Sequence, residues 1–141
     1  MNLFQDYHNK FLEFLIILKK NKTIEVSEDL KGLIVEAAPK EYMADISFNA
    51  AMILSKLNKK TPLDLANTLK KYFTENFLEF EKITVAKPGF LNFNFKNSFW
   101  KNHLINIINF KSRYGSNKYL KKKYNIEFVS ANPTGPLHIG H

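Results

Sequence analysis

Hydrophobic residues in the first twenty positions recur at the three- and four-residue spacing of an amphipathic helix. They are Leu3, Phe4, Tyr7, Phe11, Leu12, Leu15 and Leu18. Lys19, Lys20 and Lys22 follow at the far end, where positive charge stabilises a helix dipole. The pattern predicts a helix over residues 2–20, with Asn21 as its cap.

Two further helices are predicted in the middle of the chain. Residues 45–57 place apolar side chains on one helical face, namely Ile46, Ala50, Ile53, Leu54 and Leu57. The next helix begins with Thr61, which can cap it, and Pro62, which suits the first helical position. It is predicted to run to about Phe77. Ahead of both, the short apolar run at residues 33–35 indicates a strand.

An alternating pattern at residues 90–95 predicts a strand with two different faces. One face carries Leu91, Phe93 and Phe95 and should lie on the core, whereas the other carries Phe90, Asn92 and Asn94. Residues 82–86 indicate a preceding strand, and the Lys-Pro-Gly sequence at 87–89 is a turn signal. Together they predict a β-hairpin.

A further helix is predicted to begin at Asn97 and Ser98, which can cap it, and to reach about Phe110. Its apolar face consists of Phe99, Trp100, Leu104, Ile107 and Ile108. The composition of the chain changes after this helix. Residues 111–123 are polar and basic, which is typical of a linker. Residues 124–130 then resemble a strand, followed by a Pro/Gly loop and a helix start. We therefore predict an α+β domain over 1–110, a linker, and the opening of an α/β sheet over 124–141.

The amino-acid composition indicates which kinds of partner and which cellular compartment to expect. A net charge of +8 favours polyanionic partners, although only one of the 21 basic residues is an arginine, Arg113. A lysine-rich surface favours electrostatic attraction over base-by-base readout. The absence of cysteine excludes disulfides and thiolate chemistry. There is no signal-peptide pattern and the longest apolar run, residues 14–18, is too short to span a bilayer. We expect a cytoplasmic protein without membrane contacts.

Candidate chemistry is concentrated at the end of the chain. A strand there leads through a Pro/Gly loop to histidines at a helix start, where free N–H groups and positive potential favour phosphate binding. Gly140 would let a flat ligand such as adenine approach the backbone. His138 and His141 can donate hydrogen bonds to phosphate oxygens as negative charge develops. Two histidines without a third ligand make a metal site unfavourable, and we predict none.

Residues 130–141, Ser-Ala-Asn-Pro-Thr-Gly-Pro-Leu-His-Ile-Gly-His, resemble the signature of class I aminoacyl-tRNA synthetases. The longer string looks specifically like bacterial arginyl-tRNA synthetases. Residues 36–57, including Asp45, are similar to the N-terminal domain of that family. Residues 87–93 look like its Gly-Pro-Gly-Phe-Ile-Asn-Phe segment, from which Lys87 departs. The resemblance covers nearly the whole chain, and its end is the diagnostic part.

The resemblance implies that the full-length parent is an arginine–tRNA ligase, which uses ATP with Mg²⁺ as substrate to activate L-arginine and then charges arginine tRNA. His138 and His141 would be catalytic and, with Gly140, would bind ATP. Glu127, Ser130 and Asn132 would contact arginine; a carboxylate suits its guanidinium or amino group. Without the resemblance, Glu127 is an ordinary strand residue and Asn132 a turn residue. The implied signature region comprises Ala131, Asn132, Pro133, Thr134, Gly135, Pro136, Leu137, His138, Ile139, Gly140 and His141.

The resemblance also implies that the N-terminal domain touches the D-loop of the tRNA. Phe90 and Asn92 share a strand face and could stack on and hydrogen-bond an unpaired base there. The alternative is that Phe90 belongs to the core. A lysine cluster at 118–123 could contact phosphates, or it could belong to a solvated linker.

Two other functions remain open at this point. The His-x-Gly-His pattern also serves other nucleotidyltransferases, although there it usually lies close to the N-terminus. A non-catalytic interaction domain with a chance motif would show no tRNA preference. The second signature loop of class I synthetases, resembling Lys-Met-Ser-Lys-Ser, is absent from the sequence. We therefore expect the fragment alone to be an inactive, monomeric tRNA-binding module, with a truncated Rossmann-like catalytic domain and no bound cofactor.

Overall fold

The computed structural model describes residues 2–116 and 125–127. Its helices are α1 (Leu3–Lys20), α2 (Ala50–Leu54), α3 (Pro62–Asn76) and α4 (Asn97–Phe110). Its strands are β1 (Val35–Ala37), β2 (Ile46–Phe48), β3 (Phe80–Ala86) and β4 (Phe90–Phe95), and short 3-10 turns lie at Lys40–Tyr42 and Lys111–Arg113. The strands form one antiparallel sheet in the order β1-β2-β4-β3. The predicted α+β architecture is confirmed for this part of the chain.

The two faces of the sheet differ in chemistry. Directly opposed residues on neighbouring strands point to the same face. Two rows therefore face the helices, Val35–Phe48–Leu91–Val85 and Ala37–Ile46–Phe93–Ile83. The row between them, Glu36–Ser47–Asn92–Thr84, points to the opposite face. We call these four residues the outer polar row.

Aromatic side chains hold helices α1 and α3 against the inner face of the sheet. The ring of Phe11 on α1 lies 5.2 Å from that of Phe48, 4.9 Å from Phe93 and 4.8 Å from Phe73 on α3, measured between ring centroids. Phe11 is fully buried. Such edge and tilted contacts add to the stabilisation from buried apolar area, so the fold rests on this aromatic cluster.

The ends of two helices are capped as the sequence predicts. Thr61 Oγ1 accepts a hydrogen bond from the backbone N–H of Asp64 at 3.1 Å, and Pro62 is the first residue of α3. Helix α1 ends at the predicted cap, Asn21, whose N–H bonds to the carbonyl of Ile17 at 3.0 Å. Both helix predictions are confirmed within one or two residues.

The helix predicted over residues 45–57 is wrong in its first part, because Ile46–Phe48 is strand β2 and α2 covers only Ala50–Leu54. Asp45 explains the difference. Its N–H bonds to the carbonyl of Phe93 at 2.9 Å, and its carboxylate accepts the N–H of Phe95 at 2.7 Å. These bonds start a strand beside β4. The strand predicted at 33–35 is also shifted, to Val35–Ala37.

Helix α4 forms where it is predicted, but its apolar face does not enter the core. Its first turn has no side-chain cap, contrary to the expectation for Asn97 and Ser98. The ring of Phe99 stacks on that of Phe95 at 4.0 Å. Further along, Leu104 and Ile108 are more than half exposed. The helix therefore touches the domain mainly at its beginning.

The strand predicted over 124–130 is not found in its described part. Residues 125–127 lie outside helix and strand, and their side chains are exposed. A strand exists only through hydrogen bonds to a neighbour, and the four-stranded sheet includes none to this segment. The predicted helix start at 137–141 lies outside the described residues.

Candidate nucleic-acid interface

The turn between β3 and β4 is packed tightly on the start of α3. A Cβ atom added to Gly89 would lie 2.8 Å from Pro62 Cβ and 2.9 Å from the Pro62 carbonyl oxygen. Only glycine fits this approach, because real Cβ contacts are not that short. The contact anchors the turn and hence the position of the next residue, Phe90.

Phe90 lies on the outer face of the hairpin, as predicted. It is half-buried and is not a member of the hydrophobic core cluster. Within the part of the chain that the structure describes, its ring makes no pair with another aromatic ring. The alternative in which Phe90 is an ordinary core residue is therefore not supported.

Asn92 occupies the centre of the outer polar row, between Ser47 on β2 and Thr84 on β3. Its side chain is only 1% exposed, and that of Ser47 is 2% exposed. Neither polar atom of the Asn92 amide nor the Ser47 hydroxyl has a hydrogen-bond partner in the described structure. Each such group costs about 1–3 kcal/mol relative to a satisfied one. Buried groups of this kind require a specific explanation.

Other asparagines of the domain show what a satisfied amide looks like. Asn94, two residues further along the same face, donates to the Met43 carbonyl at 2.7 Å. Asn49 accepts from the Ile34 N–H and donates to the Gly32 carbonyl, both at 2.8 Å. These side chains fasten loops. Asn92 makes no such bond, so its amide is not explained by the fold.

The burial of Asn92 corrects one expectation. The alternation of β4 predicts that Asn92 shares an open face with Phe90, but the amide is closed to solvent. A ligand can therefore reach the Asn92 amide only after the side chains around it move.

Most of the predicted ATP and arginine contacts lie outside the described residues. This holds for Ser130 and for the whole signature region 131–141, including His138 and His141, and also for the lysine cluster at 118–123. Glu127 is described, and its side chain is exposed. The structure thus brings together Phe90, Asn92 and their neighbours on the sheet.

Ser47 and Thr84 are absent from the predictions made from sequence. No local signal marks them, because residues 46–48 also fit a helical pattern and Thr84 fits an ordinary strand position. Only the pairing of β2 with β4 places Ser47 directly opposite Asn92. Cross-strand pairing of this kind joins residues that are distant in sequence.

A buried tyrosine lies elsewhere in the domain. The Tyr7 hydroxyl donates to Glu79 Oε1 at 3.0 Å, and Lys10 Nζ lies 3.9 Å from the same oxygen. Burial, reinforced by the negative charge of Glu79, raises the pKa of Tyr7 far above its ordinary range. Because the hydroxyl is satisfied, we assign this group to stability.

Across residues 2–116 and 125–127, no group of three His, Cys, Asp or Glu side chains is arranged to hold a metal ion. No helix in the same part of the chain is long and apolar enough to cross a membrane.

Comparison with known proteins decides the family. Residues 9–95 match the family described as "Arginyl tRNA synthetase N terminal domain". The chain belongs to the arginyl-tRNA synthetase family. The matched region includes β1, β2 and the whole β3–β4 hairpin, and therefore all of the outer polar row.

Three relatives, each named an arginine–tRNA ligase, show how far the similarity reaches. That of Pelagibacter ubique (strain HTCC1062) is 46% identical over 142 residues, which cover 100% of this chain and 25% of the relative. That of Anaplasma phagocytophilum (strain HZ) is 48% identical over 112 residues, covering 79% and 19%. That of Ehrlichia ruminantium (strain Gardel) is 42% identical over 132 residues, covering 92% and 23%. The chain thus spans about a quarter of the length of these relatives.

Proposed function

We propose that this chain supplies the tRNA-binding N-terminal domain of an arginine–tRNA ligase. Membership of the family and the names of the relatives support the activity. The observation that carries the binding role is the unpaired, buried amide of Asn92 beside Phe90. An unpaired amide destabilises the free domain, and a hydrogen-bonding ligand removes that penalty.

Phe90 and Asn92 divide the recognition of one unpaired D-loop base between them. The Phe90 ring stacks on the face of the base, an interaction worth about 1–3 kcal/mol that tolerates any base. The Asn92 amide reads the base edge, because it offers an acceptor at Oδ1 and donors at Nδ2. Residues two apart on a strand are separated by roughly 6.5–7 Å, which allows both contacts to one nucleotide.

The positive charge of the chain has a separate effect. A net charge of +8 attracts the tRNA backbone irrespective of sequence, and this attraction weakens steeply as salt is added. Since Arg113 is the single arginine, base-specific readout through guanidinium groups has little support. Specificity in this proposal therefore comes from the hairpin, and the lysines contribute affinity.

The catalytic assignments extend the proposal beyond the described residues. In the whole enzyme, His138, Gly140 and His141 bind ATP with its Mg²⁺ and stabilise the charge that develops as arginine is activated. Glu127, Ser130 and Asn132 contact L-arginine. We further propose a catalytic Rossmann-like domain that begins at about residue 124, joined by the basic linker at 111–123. The protein is cytoplasmic and monomeric in this proposal.

Binding of the 141-residue chain to three RNAs tests the recognition role. They are arginine tRNA, the same tRNA with a substituted D-loop base, and an unrelated tRNA, each at two salt concentrations. We expect tighter binding to intact arginine tRNA, with the preference reduced at least tenfold in Phe90→Ala and in Asn92→Ala. Matched controls are Phe110→Ala and Asn67→Ala, both at exposed helical positions. Equal, salt-sensitive binding to all three RNAs would mean that charge alone acts, and would refute the proposal.

A separate measurement tests the expectation that this chain alone is catalytically inactive. We expect this chain alone to show no arginine-dependent exchange of pyrophosphate into ATP, because the remaining three quarters of its relatives' length is not part of it. Measurable exchange would overturn that expectation.

A further inference from the structure

Ser47, like Asn92, has a buried polar side chain without a hydrogen-bond partner in the described structure. It is the middle residue of β2, and both of its neighbours, Ile46 and Phe48, point into the core. Strand alternation therefore directs the Ser47 side chain to the outer face. There it is 2% exposed, and its hydroxyl has no partner among the described residues.

The pairing register places this hydroxyl next to the Asn92 amide. Ser47 and Asn92 are directly opposed residues of the antiparallel β2–β4 pair. The Cβ atoms of such a pair are about 4.5–5.5 Å apart. Despite this proximity the two side chains do not bond to each other. Because both side chains are almost fully buried, a third group can bond to them only after the residues around them move.

A buried serine normally satisfies its hydroxyl locally. Ser55, which is also buried, donates from Oγ to the carbonyl of Met52 at 3.0 Å. Alanine at position 47 would fill nearly the same volume without burying an unpaired hydroxyl. The fold therefore does not account for the serine, whereas a ligand that bonds to it would.

We propose that Ser47 is a second specificity-determining residue for the unpaired base that Asn92 reads. This inference rests on the proposed function of the hairpin. The hydroxyl adds one donor or acceptor beside the donor and acceptor of the amide. Three such functions side by side match the edge of a single nucleobase.

The charge of the site favours a base over a phosphate as the ligand of this pair. Both central side chains of the outer polar row are neutral, Glu36 at its exposed end is negative, and the exposed Lys82 lies outside the row, opposite Asn94 on the same face. Phosphate oxygens are bound mainly by lysine, arginine or groups of backbone N–H donors. A neutral base edge meets no repulsion here.

Three variants of the 141-residue chain test the inference: Ser47→Ala, Asn92→Ala and, as the matched control, Ser55→Ala. For each, we would measure the dissociation constants for intact and D-loop-substituted arginine tRNA, together with the urea unfolding midpoint. We expect Ser47→Ala to weaken binding of the intact tRNA about tenfold and to leave binding of the substituted tRNA unchanged. Its unfolding midpoint should stay the same or rise. Ser55→Ala should lower the midpoint and leave the preference between the two tRNAs unchanged.

The double variant Ser47→Ala/Asn92→Ala shows whether both residues read the same base. If they do, the losses of binding in the two single variants should not add, because the contacts depend on each other. Fully additive losses would show that Ser47 acts at a different place, and would overturn the inference.

The remaining outcomes distinguish failure of the role inferred for Ser47 from failure of the function proposed for the hairpin. Normal discrimination in Ser47→Ala with lost discrimination in Asn92→Ala refutes the role of Ser47 and leaves the hairpin function intact. A lower unfolding midpoint with equally weakened binding of both tRNAs shows a purely structural role for Ser47, and also refutes it. Absence of discrimination in the unmodified chain refutes the hairpin function itself.

Discussion

Replacing Asn92 by leucine should make the domain more stable while removing the tRNA discrimination that we propose for it. Leucine has the branching and the number of heavy side-chain atoms of asparagine, although its methyl groups are larger than the amide oxygen and nitrogen. It carries no polar atoms. The variant therefore removes the unpaired amide without opening a cavity.

The structure allows the size of the effect to be worked out. Asn92 is 1% exposed, and neither amide atom has a partner in the described structure. An unsatisfied buried group costs about 1–3 kcal/mol, whereas an apolar group of the same shape avoids this cost. We take the imperfect fit of leucine to offset part of the gain. We expect the free energy of unfolding to rise by about 1–2 kcal/mol.

Urea denaturation, followed by far-ultraviolet circular dichroism, measures this change directly. With an m-value of about 1–3 kcal/mol/M, the midpoint should rise by roughly 0.3–2 M while the slope stays constant. In a thermal scan the same gain corresponds to a rise of roughly 4–8 °C for each kcal/mol.

Asn94→Leu is the matched control, because Asn94 lies on the same strand and face but donates to the Met43 carbonyl at 2.7 Å. Losing that bond should lower stability by about 0.5–1.5 kcal/mol. The reasoning about Asn92 would be refuted if Asn92→Leu destabilised the domain as much as Asn94→Leu does. That result would mean that the Asn92 amide is satisfied in the free protein.

Two further predictions concern the elements that support the site. Gly89→Ala should destabilise the domain by about 1–3 kcal/mol, because the new Cβ would lie 2.8 Å from Pro62. It should also reduce tRNA discrimination by displacing Phe90. Urea unfolding and tRNA binding measure the two effects, and unchanged stability would contradict the packing argument. Tyr7→Phe should cost about 1 kcal/mol at neutral pH through loss of the bond to Glu79. Because the pKa of Tyr7 is raised in the folded state, its contribution is complete below its ordinary value of 10.0 and is lost as pH rises above it. Between pH 8 and 11, the free energy of unfolding should therefore fall less steeply in Tyr7→Phe than in the unmodified domain. The same pH dependence in both proteins would contradict the assignment.

The sequence by itself determines those elements whose pattern is local. Helices α1 and α3 follow from the spacing of apolar residues and from Thr61 and Asn21 at their ends. The hairpin follows from the turn signal at 87–89 and from the alternation of β4, whose inward residues Leu91, Phe93 and Phe95 are all buried. Each of these signals is contained within a single helix or hairpin, so residues close in sequence are sufficient to specify it.

Strand β2 required the tertiary structure. The sequence Ile-Ser-Phe-Asn-Ala-Ala at 46–51 fits a helix or a strand, because a short apolar run does not distinguish the two periods. The hydrogen bond from Phe95 to the Asp45 carboxylate decides for the strand, and it joins residues 50 positions apart. Contacts of that range leave no trace in a local pattern.

The same limit applies to the candidate site. Phe90 and Asn92 can be predicted from the alternation of one strand and from the family resemblance, but Ser47 cannot, because it becomes their neighbour only when β2 pairs with β4. Burial is likewise a property of the assembled sheet, and it turned Asn92 from an expected surface residue into a closed, unpaired amide. Local periodicity thus determined which face of the hairpin carries the candidate residues. Long-range strand pairing decided which side chains lie beside them and which polar groups remain without a partner, since those depend on parts of the chain that meet only in the fold.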